Sequence, residues 1–226
     1  MPAYNEASTI ARMLEFVVAA LPDQENEIIV VDDASTDGTA DWLKRNVVPA
    51  DATYRSLAVK EDGDLTLVPQ DDSGAPSFVL RALFHGQNQG KGGALQTGLA
   101  ETTGDVIVFQ DADLEYDPAD WARMYDLIVK RRVADVVYGS RFYGQPHRAL
   151  YFHHYMGNRL LSFIFNLLYD QTLTDIEVCY KMFTREVLES LRLTCKDFGC
   201  EIQISTQIAR ARKWRIYELG ISYYGR

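Results

Sequence analysis

Val106-Ile107-Val108-Phe109 is a short run of β-branched and aromatic residues that stops at Gln110 and is followed at once by Asp111, Asp113 and Glu115. Bounded by Gly104, such a run reads as a strand buried on both faces, so the residues after Gln110 emerge at the end of a sheet. That end is where open α/β sheets bind ligands. In extended chain residues i and i+2 point the same way, which puts Asp111 and Asp113 on one side, with Glu115 following if the chain stays extended. Grouped carboxylates repel one another unless a cation sits between them, and hard oxygen ligands select Mg²⁺ or Mn²⁺. A solvated acidic turn closed by Asp117-Pro118 is the alternative for this stretch alone.

The chain before this strand alternates helix and strand. Ile10, Met13, Leu14, Val17, Val18 and Leu21 form one helical stripe, with Asn5 as N-cap and Pro22 as stop. Glu27 to Val31 reads as a buried strand ending in Asp32-Asp33-Ala34-Ser35-Thr36-Asp37-Gly38-Thr39 ahead of a helix from Ala40 to Val47; Asp37 or Thr39 can cap that helix. Pro49 to Gly74 reads as a peripheral hairpin around Leu65 to Val68, and Ser77 to Phe84 returns to the sheet. Gly86 to Leu95 is a Gly-rich turn into a helix ending near Thr102. Lys91 there places a cation beside a helix N-terminus that favours anions. A glycine-rich helix entry without a ligand is the plainer reading of this loop.

Beyond the acidic motif, Trp121 to Arg132 reads as an amphipathic helix and Ala134 to Tyr138 as a strand, followed by Gly139-Ser140-Arg141. Thr174 to Phe183 reads as an alternating, strand-like segment carrying Asp175 and Glu177, Gly199 to Ala211 as a helix carrying Glu201, and Arg215 to Ser222 as a late strand. Between them, residues 148–169 are dense in aromatic and aliphatic side chains, too polar to span a bilayer and unusually apolar for an exposed helix. Packing in the core and lying at a membrane interface are both open to such a segment.

Composition narrows the partners. With 226 residues, 47% of them apolar, the chain is long enough to bury a sizeable core and is read as one domain. A net charge of −9 argues against nucleic acid as the main partner. Cys179, Cys195 and Cys200 lack metal-site spacing and are read as structural. The start carries neither a basic leader nor an apolar signal run, and no stretch reaches the ~18 apolar residues of a spanning helix. The expected location is cytoplasmic, peripheral on the cytoplasmic face of a membrane.

Taken in order, Pro2-Ala3-Tyr4-Asn5-Glu6, Val31-Asp32-Asp33-Ala34-Ser35 with Asp37-Gly38-Thr39, Asn88 with Gly90-Lys91-Gly92, Asp111-Ala112-Asp113, Gly139-Ser140-Arg141, and Thr174-Asp175 with Glu177 resemble the motif series of family 2 glycosyltransferases. More narrowly they resemble the dolichyl-phosphate and polyprenyl-phosphate sugar synthases, over almost the whole chain. The resemblance implies an α/β GT-A nucleotide-diphospho-sugar transferase fold, with a mostly parallel central sheet flanked by helices. It implies a single domain over 1–226, with 1–115 binding the donor and 116–226 the acceptor. It places Pro2, Ala3, Tyr4 and Glu6 along the nucleotide pocket, with Asp33 reading the base and Lys91 beside the donor. Asp111, Asp113 and Glu115 then hold a divalent Mg²⁺ or Mn²⁺ on the donor diphosphate, where the metal neutralises charge on the departing nucleotide.

The acceptor sets the remaining requirements. A sugar hydroxyl needs a positioned base, for which Asp113, Asp175 and Glu177 are candidates. A lipid monophosphate is largely ionised at neutral pH and attacks the sugar carbon itself, so it needs cations. Arg141, Arg159 and Lys181 are expected against that phosphate, with residues 148–169 making peripheral membrane contact and guiding the prenyl chain. The expected activity is inverting transfer of a hexose from a donor of the GDP-mannose or UDP-glucose type to polyprenyl phosphate. Transfer to a glycan hydroxyl and a non-catalytic nucleotide-sugar-binding module are the alternatives. Against the family pattern, the chain begins inside the first strand and stops where relatives continue. It also has Phe198-Gly199-Cys200-Glu201-Ile202-Gln203 where close relatives carry a further carboxylate near the acceptor.

Overall fold

The structure is a computed structural model describing residues 1–21, 23–47, 52–71, 77–144, 151–197 and 199–225. The helix stop expected at Pro22 lies outside the described residues, as do parts of the 49–74 excursion and residues 148–150 of the apolar segment. The chain divides into two compact units. The first comprises 1–104 and 111–114, the second 105–110 and 115–226.

Two of the first unit's strands carry the apolar runs read from the sequence at Glu27–Val31 and Ser77–Phe84. β1 (Pro2–Ala3), β2 (Asn26–Asp32) and β5 (Phe78–Phe84) pair in parallel, while β3 (Thr53–Val59) and β4 (Leu65–Pro69) form an antiparallel hairpin joined to β5, giving the order β1-β2-β5-β3-β4. α1 (Ile10–Ala20) buries Ile10, Met13, Leu14 and Val17, four members of its predicted stripe. α2 (Thr39–Asn46) starts after Gly38, whose φ of 103° lies in the left-handed region that favours glycine. α3 (Gly90–Glu101) lays Ala94 on Ile29 and Val31 of β2. The parallel register pairs Asp32 with Phe84, so Asp33 and His85 leave the sheet together at the carboxyl ends of β2 and β5. This is the ligand-binding edge of such a sheet.

The second unit has a four-stranded sheet of order β6-β8-β7-β9, formed by β6 (Val106–Val108), β7 (Val136–Ser140), β8 (Lys181–Thr184) and β9 (Ile216–Gly220). β8 runs antiparallel to both β6 and β7, and β9 runs parallel to β7. Strand hydrogen bonding is therefore divided between two sheets. The parallel character is concentrated in β1, β2 and β5 because β8 enters the second sheet in reverse. The segment 118–130 is helical throughout, as a 3₁₀ turn (Pro118–Asp120), α4 (Trp121–Tyr125) and a π turn (Asp126–Lys130). α5 (Phe152–Tyr169), α6 (Arg185–Ser190) and α7 (Gly199–Ala211) complete the unit. Its core is aromatic and aliphatic, with Tyr138, Tyr180, Met182, Phe183 and Ile204 sealed from solvent.

Only β8 of the alternating segment 174–183 pairs as a strand; residues 174–180 form an irregular loop that still buries Asp175, Ile176, Val178 and Tyr180. α5 resolves the second ambiguity against core packing. Of its side chains only Ser162 and Phe165 are buried, while Phe152, Leu160, Phe163, Leu167 and Leu168 are all exposed, Leu167 by 74%. No described helix is long and apolar enough to cross a membrane.

Candidate functional site

In the first unit, the loops after β1 and β2 are clasped together. The Ala3 carbonyl accepts from the Asp33 amide, the Asn5 amide donates to Ser35 Oγ at 2.9 Å, and Asn5 Oδ1 accepts from the Thr36 amide at 2.8 Å. The Glu6 amide donates to Thr39 Oγ1, and the Ala7 amide to Asp37 Oδ2. Asp37 also accepts from the Thr39 amide and hydroxyl, so both residues read as caps serve this clasp. Burial pushes the Asp37 carboxyl up, but these hydrogen bonds outweigh it and leave its pKa below the ordinary value. Beyond the clasp, Tyr4 is half exposed, Ala3 is buried, and Glu6 Oε2 accepts from Thr9 Oγ1 at 2.6 Å.

Asp33 is occupied in a different way from the base-reading position expected of it. Its Oδ1 accepts from His85 Nδ1 at 2.6 Å and from the Gln89 amide at 2.8 Å, and its Oδ2 accepts from the Gly90 amide at 2.8 Å. The carboxylate is buried and itself serves as the anion at the N-terminus of α3, satisfying donors that a phosphate would otherwise meet. The neighbouring Asp32, also buried, receives the Ser35 amide on Oδ2, while its Oδ1 has no hydrogen-bond partner among the described residues. A buried carboxylate oxygen without a donor is costly. The residue with unmet capacity at this strand end is therefore Asp32, which sequence reasoning passed over because adjacent aspartates look alike until backbone hydrogen bonds separate them.

Lys91, in the first turn of α3, reaches Asp111 Oδ2 at 2.9 Å, with both side chains about 15% exposed. A cation beside Asp111 is what the acidic motif was expected to need, and here the lysine supplies it. Among the described residues no three His, Cys, Asp or Glu side chains converge to hold a metal. Glu115, in the second unit, accepts from the Tyr223 hydroxyl at 3.1 Å. Asp111 and Asp113, both in the first unit, carry the oxygen donors suited to an ion that needs one or two carboxylates and takes the rest of its shell from water and substrate phosphates.

In the second unit, Arg141 grips Asp175 through two parallel bonds of 2.7 Å, from Nε to Oδ2 and from Nη2 to Oδ1. Asp175 is fully buried and Arg141 nearly so. The paired carboxylate holds the guanidinium pKa above its ordinary value although burial pulls the other way. The next chain segment is fixed by Glu218, which accepts from the amides of Thr174 and Asp175 at 2.8 and 3.2 Å. From α5, Arg159 Nη1 reaches the Thr174 carbonyl at 3.5 Å, so two of the three expected acceptor cations converge on residues 174–175.

Two expected roles do not survive this geometry. Lys181 is sealed from solvent, with its ammonium donating to the Val178 carbonyl and lying 5.2 Å from the Tyr138 ring centroid. Tyr138 and Lys181 are register partners on β7 and β8, and the lysine side chain is drawn into the aromatic core. Asp175 is sealed from solvent and both its oxygens accept from Arg141, Oδ2 from the amide and Nε and Oδ1 from Nη2, which does not suit the base role expected of it. The available carboxylate nearby is the half-buried Glu177. Burial raises its pKa, Asp175 and Glu201 add to the effect, and Arg141 and Lys181 oppose it.

Residues 1–55 and 74–192 match the sequence model of the glycosyl transferase family 2. The chain belongs to glycosyl transferase family 2. It is similar to the undecaprenyl-phosphate mannosyltransferase of Micrococcus luteus, 28% identical over 100% of this chain and 82% of that protein. It is similar also to the low-salt glycan biosynthesis hexosyltransferase of Haloferax volcanii, 27% identical over 100% of this chain, and to the dolichyl-phosphate beta-glucosyltransferase of Dictyostelium discoideum, 28% identical over 82% of it. The chain spans about half the length of each of these last two, 47% and 53%. Among solved structures, glucosyl-3-phosphoglycerate synthase from Mycobacterium tuberculosis, in complex with Mn²⁺, UDP and glucosyl-3-phosphoglycerate, superposes with a TM-score of 0.65 at 20% identity, covering 100% of this chain and 70% of that one. This likeness shows the α/β GT-A fold.

Proposed function

We propose that residues 1–226 act as one catalytic domain of an inverting hexosyltransferase that moves a sugar from a nucleotide diphosphate donor to the phosphate of a polyprenyl or dolichyl lipid. The observation that carries this reading is the construction of α5. One helix turns a broad apolar face outward and also delivers Arg159 to the segment where Asp175 fixes Arg141. Arg141 spends part of its five-donor fork on Asp175, leaving the remainder for an anion. A phosphate monoester brings its own ionised nucleophile, which suits a site whose best-placed carboxylate is already committed. The Micrococcus luteus relative, named for an undecaprenyl-phosphate acceptor and similar over the whole chain, supports the same acceptor class.

On the donor side, Pro2, Ala3, Tyr4 and Glu6 line the nucleotide with the clasp behind them, and the unmet oxygen of Asp32 takes the base-reading role first expected of Asp33. Asp111 and Asp113 would hold a divalent Mg²⁺ or Mn²⁺, which when bound neutralises charge on the leaving nucleotide. Lys91 then turns from Asp111 to the diphosphate. The acceptor phosphate, held by Arg141 and Arg159, attacks from the face opposite the departing diphosphate, so no protein base is required. α5 rests on the cytoplasmic leaflet, with its aromatic and aliphatic side chains against the lipid.

Glu177 favours a second reading. A half-buried carboxylate with a raised pKa beside Arg141 can serve as the base for a sugar hydroxyl. Incubating the protein with labelled GDP-mannose or UDP-glucose, polyprenyl phosphate in detergent, and Mn²⁺ or chelator separates the two. Label extracted into organic solvent only with metal supports the lipid-phosphate reading and names the donor. Label on a soluble glycan supports the hydroxyl reading, and nucleotide binding that survives chelation without turnover points to a binding module.

A further inference from the structure

After β9 the chain turns back along the second unit as a strap, residues 221–225. The Ile221 amide donates to the Ser140 carbonyl at 3.1 Å, the Ser222 amide to Asp120 Oδ2 at 2.7 Å, and the Tyr224 amide to the Glu115 carbonyl at 2.9 Å. Tyr116 and Tyr223 form an isolated β-bridge, and the Tyr224 hydroxyl donates to Asp117 Oδ2 at 3.3 Å. The fit is close: a Cβ on Gly144 would lie 1.6 Å from the Ile221 carbonyl oxygen, so Gly144 is required for the strap to lie where it does. These bonds hold the backbone on both sides of Tyr223.

Tyr223 meets two groups important to the chemistry. Its ring centroid lies 5.7 Å from the Arg141 guanidinium carbon and 5.4 Å from the Tyr116 ring, which in turn stacks on Tyr180 at 5.2 Å. Its hydroxyl donates to Glu115 Oε2 at 3.1 Å, and Glu115 follows Asp113 by two positions in the chain. The bidentate pair with Asp175 restrains Arg141 along one edge of the fork only. The Tyr223 ring and, at 5.9 Å, the Phe142 ring add restraints against the guanidinium pivoting, and of the two only Tyr223 also reaches Glu115.

We propose that Tyr223 is a positioning residue, whose ring holds Arg141 for the acceptor anion and whose hydroxyl ties that arginine's surroundings to the stretch that follows the Asp-x-Asp motif. This rests on the lipid-phosphate reading above. Small displacements of a substrate-holding group lower rates steeply, so the expected effect falls on acceptor binding and leaves the donor alone.

The test is a double-mutant cycle on KM, using prenyl phosphate as acceptor and the donor that the wild type accepts. Tyr223→Leu should raise the acceptor KM by about tenfold with the donor KM within about twofold, because one cation–π restraint is lost. Tyr223→Phe keeps the ring and should stay within about threefold of wild type on both. In an Arg141→Ala background, Tyr223→Leu should add nothing, since residues acting through one another are not additive. If Tyr223→Leu does not fold, Tyr223→Met, which is longer, apolar and ringless, replaces it with the same expectations. Equal losses on donor and acceptor, or effects that multiply in the double variant, overturn the positioning role. No transfer to prenyl phosphate by the wild type overturns the lipid-phosphate reading itself, and the positioning role with it.

Discussion

Replacing Lys91 by Met separates two roles of this lysine. It stands 2.9 Å from Asp111 Oδ2 with both side chains about 15% exposed, so a metal ion arriving at Asp111 must displace an ammonium group. Hydrogen bonds to a charged partner contribute about 1.5–3 kcal/mol. At about 1.4 kcal/mol per tenfold, losing that competition should tighten Mn²⁺ binding by roughly 10–100-fold in the absence of nucleotide. With a nucleotide diphosphate present, the same substitution removes a cation from the phosphates and should weaken donor binding by a comparable factor. Titration of the free Mn²⁺ paramagnetic resonance signal, with and without UDP or GDP, reads both effects. The reasoning is refuted if Lys91→Met binds Mn²⁺ no more tightly than wild type without nucleotide.

Three other variants probe the acceptor cation, the apolar helix face and Glu177. Asp175→Asn leaves the largely buried Arg141 charge without its partner and should cost about 3–5 kcal/mol of stability, read from urea midpoints; a loss under about 1 kcal/mol would contradict the geometry. Leu167→Glu with Leu168→Glu, at side chains 74% and 67% exposed, should leave thermal stability unchanged and lower vesicle partitioning at least about tenfold, given ~1.5–3 kcal/mol per buried leucine. Equal flotation of both proteins with phosphatidylglycerol-containing vesicles would remove α5 from the membrane contact. Glu177 has a folded pKa raised above its ordinary 4.5, chiefly by burial, so its ionisation weakens the fold as pH climbs from that value through the raised one. Glu177→Gln should therefore stabilise the protein at pH 7–8 and change nothing at pH 4, as melting across that range will show.

Legibility in the sequence followed the range of the interaction. The α1 stripe, the runs that became β2 and β5, and the entry to α3 are local patterns of period or composition, and each became the element it predicted. The pairing of Arg141 with Asp175 joins residues 34 apart and leaves no local trace, so the sequence marks both as functional and cannot tell a base from an orienting partner. Asp33 is similar: its three donors come from His85 and two backbone amides more than 50 residues away. Lys181 sits at a charged position in an alternating segment and reads as reachable, yet β8 enters between two strands and draws it inward. Residues 174–180 read as a strand from their apolar spacing, but their loop buries Ile176, Val178, Cys179 and Tyr180 alike and has no strand pairing. α5 has no clean polar face, so periodicity could not tell a core helix from an exposed one; its packing decides.

In the proposed reaction the nucleophile is a lipid phosphate. Phosphorus resonance of polyprenyl monophosphate in detergent micelles, followed as donor and Mn²⁺ are added, observes that atom directly. The monoester signal should convert to a glycosyl phosphodiester whose anomeric configuration is opposite to that of the donor. A monoester signal that persists while the donor is consumed, or a diester that retains the donor's configuration, would contradict it.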